Sequence, residues 1–99
     1  MKINFDVAMK DMEGEEIKNG EKVLTLKNVA VNALMATFED EKNLSGDEKL
    51  TRYVLACKVR GGGECDLPVS DVATIKTLIG KAYGTLIVGQ AWELLEGKG

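Results

Sequence analysis

The run from Pro68 to Gly97, PVSDVATIKTLIGKAYGTLIVGQAWELLEG, most constrains the fold, because it carries the densest apolar pattern of the chain and its only tryptophan. Val72, Ile75, Leu78, Ile79, Ala82 and Tyr83 recur at three- and four-residue intervals. A 3.6-residue period gathers them on one stripe and leaves Lys76 and Lys81 outside it. Ser70 and Asp71 supply a cap and a negative charge for the start of that helix. Gly84 suits a left-handed helix terminator, and Thr85 can cap a second helix. That second helix carries Leu86, Ile87, Val88, Ala91, Trp92, Leu94 and Leu95. Apolar over most of its circumference, it requires burial in the core or against a partner.

Gly80, Gly84 and Gly89 interrupt these runs, at about 1 kcal/mol each relative to alanine in a helix interior. Close packing of the last two helices on each other, or on a sheet, offsets that cost. The sharper alternative makes Ile87, Gly89, Trp92 and Leu95 a candidate interaction surface, since Trp is enriched at the energetic centres of interfaces.

Upstream, Ile3, Phe5 and Val7 alternate with Asn4, Asp6 and Ala8, the period of a strand with one buried face. Turn chemistry at Gly14 and Asn19-Gly20 predicts an antiparallel hairpin returning through Lys22–Leu24. Thr25 caps a helix whose apolar residues run from Leu26 through Val29, Ala30, Ala33 and Leu34 to Phe38, ending in Glu39-Asp40-Glu41-Lys42 with Asn43 as the stop. Ser45-Gly46-Asp47-Glu48 fits a reciprocal capping box. The helix it opens is expected to bury Leu50, Tyr53, Val54 and Cys57 and to stop by Gly61. After the flexible joint Gly61-Gly62-Gly63, Cys65 and Leu67 alternate over a short strand that adds an edge to the hairpin. The order β-β-α-α-β-α-α predicts one α+β domain over residues 1–99, a small antiparallel hairpin or three-stranded sheet packed against about four helices.

A chain of 99 residues needs neither metal nor disulfide to fold, and at 44% hydrophobic and 29% charged residues it is ordinary globular material. It contains no histidine, so Ser-His-Asp and Cys-His catalysis are excluded, and two cysteines alone cannot complete a structural zinc site. The glycine triplet lacks the strand-loop-helix order of a phosphate cradle. Glu39, Asp40 and Glu41 read as a solvated helix end, and Glu93 with Glu96 as an exposed helix face. Lys49, Arg52, Lys58 and Arg60 share their helix with Asp47 and Glu48 and read as a solvated polar face. A net charge of −3 disfavours nucleic acid. The two helices around Gly84 resemble a helix-turn-helix only superficially, since the second lacks basic side chains. No apolar run approaches the ~20 residues that span a bilayer, and no signal-peptide core opens the chain, so a cytoplasmic location is expected. Cys57 and Cys65 are expected to remain free thiols.

Three segments, DMEGEEI at 11–17, LTLKNVAVNALMATFEDEKNLSGDEKLTRYVLACKV at 24–59 and IKTLIGKAYGTLIVGQAWELLEG at 75–97, resemble a group of small proteins encoded in tailed bacteriophages and prophages, without an assigned activity. The resemblance implies a viral context and a bacterial cytoplasm, and it transfers no functional residue. The expectation is a non-enzymatic protein-interaction or assembly/accessory module that associates with itself or another protein. No catalytic residue, cofactor, metal or small-molecule substrate is indicated. The alternatives are a small DNA-binding regulator and a protein that binds and inhibits a host component.

Overall fold

In the computed structural model, which describes residues 1–97, the N-terminal alternation produces β1 over Lys2–Asn4. Ile3 and Phe5 are buried and Val7 half-buried, so the inward face continues past the end of the strand. The hairpin elements follow as β2, Lys18–Asn19, and β3, Lys22–Val23. The helices α1, Leu26–Met35, and α2, Gly46–Val59, come next. The chain then forms β4, Glu64–Asp66, and ends in α3, Val69–Ala82, and α4, Thr85–Leu95.

The α+β class and the cover of four helices are as expected, but the strands form two separate two-stranded sheets. β1 pairs antiparallel with β4, placing Ile3 opposite Cys65, and β2 pairs antiparallel with β3 around Gly20 at φ +72. The expected return strand meets the N-terminal segment only at the single bridge Ala8↔Thr25. The reason lies in the carbonyls of Phe5 and Val7. They accept the first amides of α1, from Lys27 and Leu26, both at 2.9 Å, and so satisfy helix-end donors instead of a third strand.

Local signals fixed two of the four helix starts. Thr25 and Asn28 exchange side-chain and backbone hydrogen bonds at the start of α1, a full capping box, whereas at Ser45 the hydroxyl accepts from the Glu48 amide at 3.1 Å and only this half of the expected reciprocal box forms. The Ser70 cap is not used: α3 begins one residue after Pro68, whose carbonyl accepts from the Asp71 and Val72 amides, leaving Ser70 inside the first turn. Between α3 and α4 the chain is extended at Tyr83 (φ −128) and Gly84 (φ −87), so Gly84 is not left-handed and precedes α4 as its cap residue in place of Thr85. α1 also ends earlier than its apolar spacing suggests. Phe38 lies in the following loop and packs on the core from there.

The buried side chains form one cluster, with Phe5, Met9, Leu26, Val29, Val59, Ile75, Ile79 and Leu95 fully enclosed. Gly62 and Gly63 join α2 to β4 at φ +70 and +71, and the Gly63 carbonyl accepts from the Phe5 amide at 2.8 Å. The positive φ of Gly62 favours glycine on backbone grounds, and a Cβ there would also require the exposed Asp6 carboxylate to move aside.

Candidate functional site

The face that α2 turns to the core differs from the expected one. Leu55, Ala56 and Val59 are buried, whereas Leu50, Tyr53 and Val54 are 58%, 55% and 43% exposed and Cys57 is half-buried. α2 carries two apolar stripes, and the one nearer its C-terminus packs against the core. The outward stripe keeps the i, i+3, i+4, i+7 spacing of a docking face. Met35, at the end of α1, is 57% exposed and lines the same cleft as Tyr53.

That cleft, about 700 Å³, opens between the end of α1, the loop 36–45 and α2. Leu34, Met35, Phe38, Leu44 and Tyr53 supply its apolar wall, with Lys49, Arg52 and Glu41 among the polar groups. The loop is pinned by ion pairs. Arg52 grips Glu41 through both guanidinium nitrogens, at 2.8 and 2.5 Å, and Lys81 of α3 reaches Asp40 and Glu41 at 3.1 Å each. The side chains of Arg52 and Glu41 are only 13% and 16% exposed, which corrects their reading as members of solvated charge clusters. Hydrogen bonding from Arg52, reinforced by Lys81 against the opposing effect of burial, lowers the Glu41 carboxyl to about 2. The same hydrogen bond raises Arg52. Partial burial opposes the charge on Lys81, but its bonds to Asp40 and Glu41 outweigh that and raise it. Lys81 also lies 4.8 Å above the Phe38 ring, which ties the loop's one aromatic to α3. No local signal announces Glu41, because its partners lie 11 and 40 positions away.

The expected surface on α4 is dispersed. Leu95 is fully buried in the chain's own core and Ile87 half-buried against it, while Gly89 is exposed with open space around it. Trp92, 36% exposed, lies across α3: its indole N–H donates to the Lys76 carbonyl at 3.0 Å, and Lys76 Nζ sits 4.6 Å above the ring. A Cβ at Gly80 would come 3.3 Å from the indole, so the glycine cost there is offset by close helix packing. No such contact exists at Gly84 or Gly89. α4 itself buries only Ala91 and Leu95 fully, less than its composition suggests.

The remaining candidates are placed as follows. Glu96 accepts from Lys76 Nζ at 2.6 Å, and Glu93 is exposed. Cys57 and Cys65 are free, and the Cys65 thiol donates to the Lys58 carbonyl at 3.5 Å. Among the described residues no helix is long and apolar enough to cross a membrane. Among the same residues, no three or more Cys, Asp and Glu side chains are grouped to hold a metal ion. Comparison with protein-family models, with curated proteins and with solved structures finds no match to this chain.

Proposed function

We propose that this chain is a non-enzymatic protein-interaction module of the assembly or accessory kind, working in the cytoplasm of a bacterial cell, and that it docks through α2. One observation carries the reading: a full stripe of α2, Leu50, Tyr53 and Val54, stands in solvent beside the equally exposed Met35. Exposed apolar side chains are unremarkable singly, but several at helical spacing on one face form the contiguous kind of patch that marks a docking surface. The ion pairs of Glu41, Arg52 and Lys81 hold the loop beside this face in one conformation, which reduces the ordering cost of binding. The phage context rests on the segmental resemblance alone. A DNA-binding role would ask for a basic helix face, and neither the apolar stripe of α2 nor α4, which carries no Lys or Arg, offers one.

The test is photo-cross-linking in bacterial cells that express the chain with p-benzoylphenylalanine at position 50. A protein adduct is expected there and not at Thr77, an exposed position of α3 used as control. Equal labelling at the two positions, or none at 50, overturns the reading.

A further inference from the structure

We infer that the turn at Asn19-Gly20 is a self-modification site, where Asn19 loses its side-chain amide and passes through a succinimide to aspartate and isoaspartate. The reaction requires a main-chain nitrogen to reach the side-chain carbonyl carbon of the residue before it. A side chain on the attacking residue obstructs that approach, and glycine does not. Gly20 is the one glycine of the chain that follows an asparagine. Both residues are exposed, so solvent base can take the amide proton and water can finish the reaction. Among the described residues the Asn19 side chain enters no hydrogen bond, and the Gly20 amide donates to no acceptor. Asn4, Asn28 and Asn32 instead engage their side-chain amides, with the Asp6 amide, with Thr25 and with the Tyr83 hydroxyl, and Asn43 precedes the bulky Leu44.

The fold also lets this turn rearrange. In the extended conformation of β2 the Asn19 side chain lies away from the Gly20 nitrogen, so rotation at Asn19 must first open its pairing with Lys22. That opening is local. β2 and β3 are two residues each and form a sheet with no further strand, and a lone two-stranded hairpin is marginally stable. Such a tip opens far more readily than the core beneath it.

The atoms balance without an oxidant or cofactor. The Gly20 nitrogen gives its proton to solvent base and bonds to Asn19 Cγ, while the Cγ–Nδ2 bond breaks and ammonia leaves. Water then opens the five-membered ring. Cleavage of the new N–Cγ bond gives aspartate, and cleavage of the original peptide N–C bond gives isoaspartate, with the main chain running through the former side chain. Either product replaces a neutral amide by a carboxylate, so one added negative charge takes the net charge from −3 to −4. Isoaspartate also lengthens the main chain by one methylene, which moves position 19 out of register with Lys22 and frays the hairpin.

The test is to incubate the folded chain above neutral pH and follow it by high-resolution mass spectrometry, intact and as the 17–21 peptide released by cleavage after Glu16 and Glu21. Isoaspartate is counted by methyl transfer from S-adenosylmethionine with an isoaspartyl methyltransferase. Position 19 should gain about one dalton at least ten times faster than any other asparagine, at a rate proportional to hydroxide. Gly20→Ala and Asn19→Gln should each slow the gain at least tenfold. Deuterium exchange over residues 18–23 should rise in the isoaspartyl fraction and not in Asn19→Asp, which carries the charge without the longer main chain. A folded chain that stays unmodified at position 19 overturns the inference, and the same chain in urea then shows whether the fold or the sequence withholds the reaction. A gain spread evenly over the asparagines, or one indifferent to Gly20→Ala and Asn19→Gln, overturns it equally.

Discussion

Gly62→Ala isolates a position where backbone and packing constraints coincide. At φ +70 an alanine pays the left-handed penalty of about 1–2 kcal/mol, and its methyl group must also displace the Asp6 carboxylate. Asp6 is exposed and its side chain can swing away, so the steric contribution should be the smaller of the two. Stiffening of the unfolded chain returns about 0.4–1 kcal/mol. The net expectation is a loss of roughly 1 kcal/mol, a substantial share of a stability on the order of 5–15 kcal/mol. Urea unfolding followed by circular dichroism at 222 nm measures it, with an unchanged slope as the check that only stability moved. Gly61→Ala, with open space around it and no positive φ, should be neutral or slightly stabilising. Asp6→Ala in the Gly62→Ala background should recover only the steric part. A Gly62→Ala protein as stable as Gly61→Ala would refute the argument, because it would show that the joint relaxes out of the left-handed region without loss.

The other perturbations concern the two faces of α2, the pinned loop and Trp92. Leu55→Ala should destabilise by about 2–4 kcal/mol, and Leu50→Ala by a small fraction of that under dilute conditions; equal losses in urea titrations would contradict the observed orientation of the helix. The unfolded-state carboxyl of Glu41 has an ordinary value of 4.5 and the folded one about 2, so its pairing stabilises fully above 4.5, and that contribution is lost as the pH falls toward 2. Glu41→Gln should therefore lower the urea midpoint at pH 7 and flatten its decline between pH 4.5 and 2; parallel pH profiles for the two proteins would refute the assignment. Trp92→Phe removes the indole bond to the Lys76 carbonyl and should cost about 1 kcal/mol in the same titration, whereas an unchanged midpoint would show that the bond adds nothing to stability.

How far the fold was legible is clearest at α2. Its start at Ser45 and its stop before the glycine triplet follow from capping and φ preferences acting within a few residues. Its inward face does not. Leu50, Tyr53, Val54 and Cys57 satisfy helical spacing as well as Leu55, Ala56 and Val59 do, and Arg52 counts against the second set if its charge must stay in water. Glu41 removes that objection by binding the guanidinium beside the core, from a loop that no periodicity describes. The candidate docking face was thus concealed by the expectation that every apolar stripe is buried by its own chain.

The sequence by itself determined the α+β class, the helix starts at Thr25 and Ser45, the turns at Gly14 and Gly20, and the helix break near Gly84. Each depends on capping groups, φ preference or periodicity over a few neighbouring residues. The tertiary structure alone decided that β1 pairs with β4, that Leu95 belongs to the core, that Trp92 lies over Gly80, and that α2 turns Leu50, Tyr53 and Val54 outward. Those outcomes depend on competition between segments far apart in the chain for the same donors, acceptors and apolar surface, and no local pattern records which segment wins.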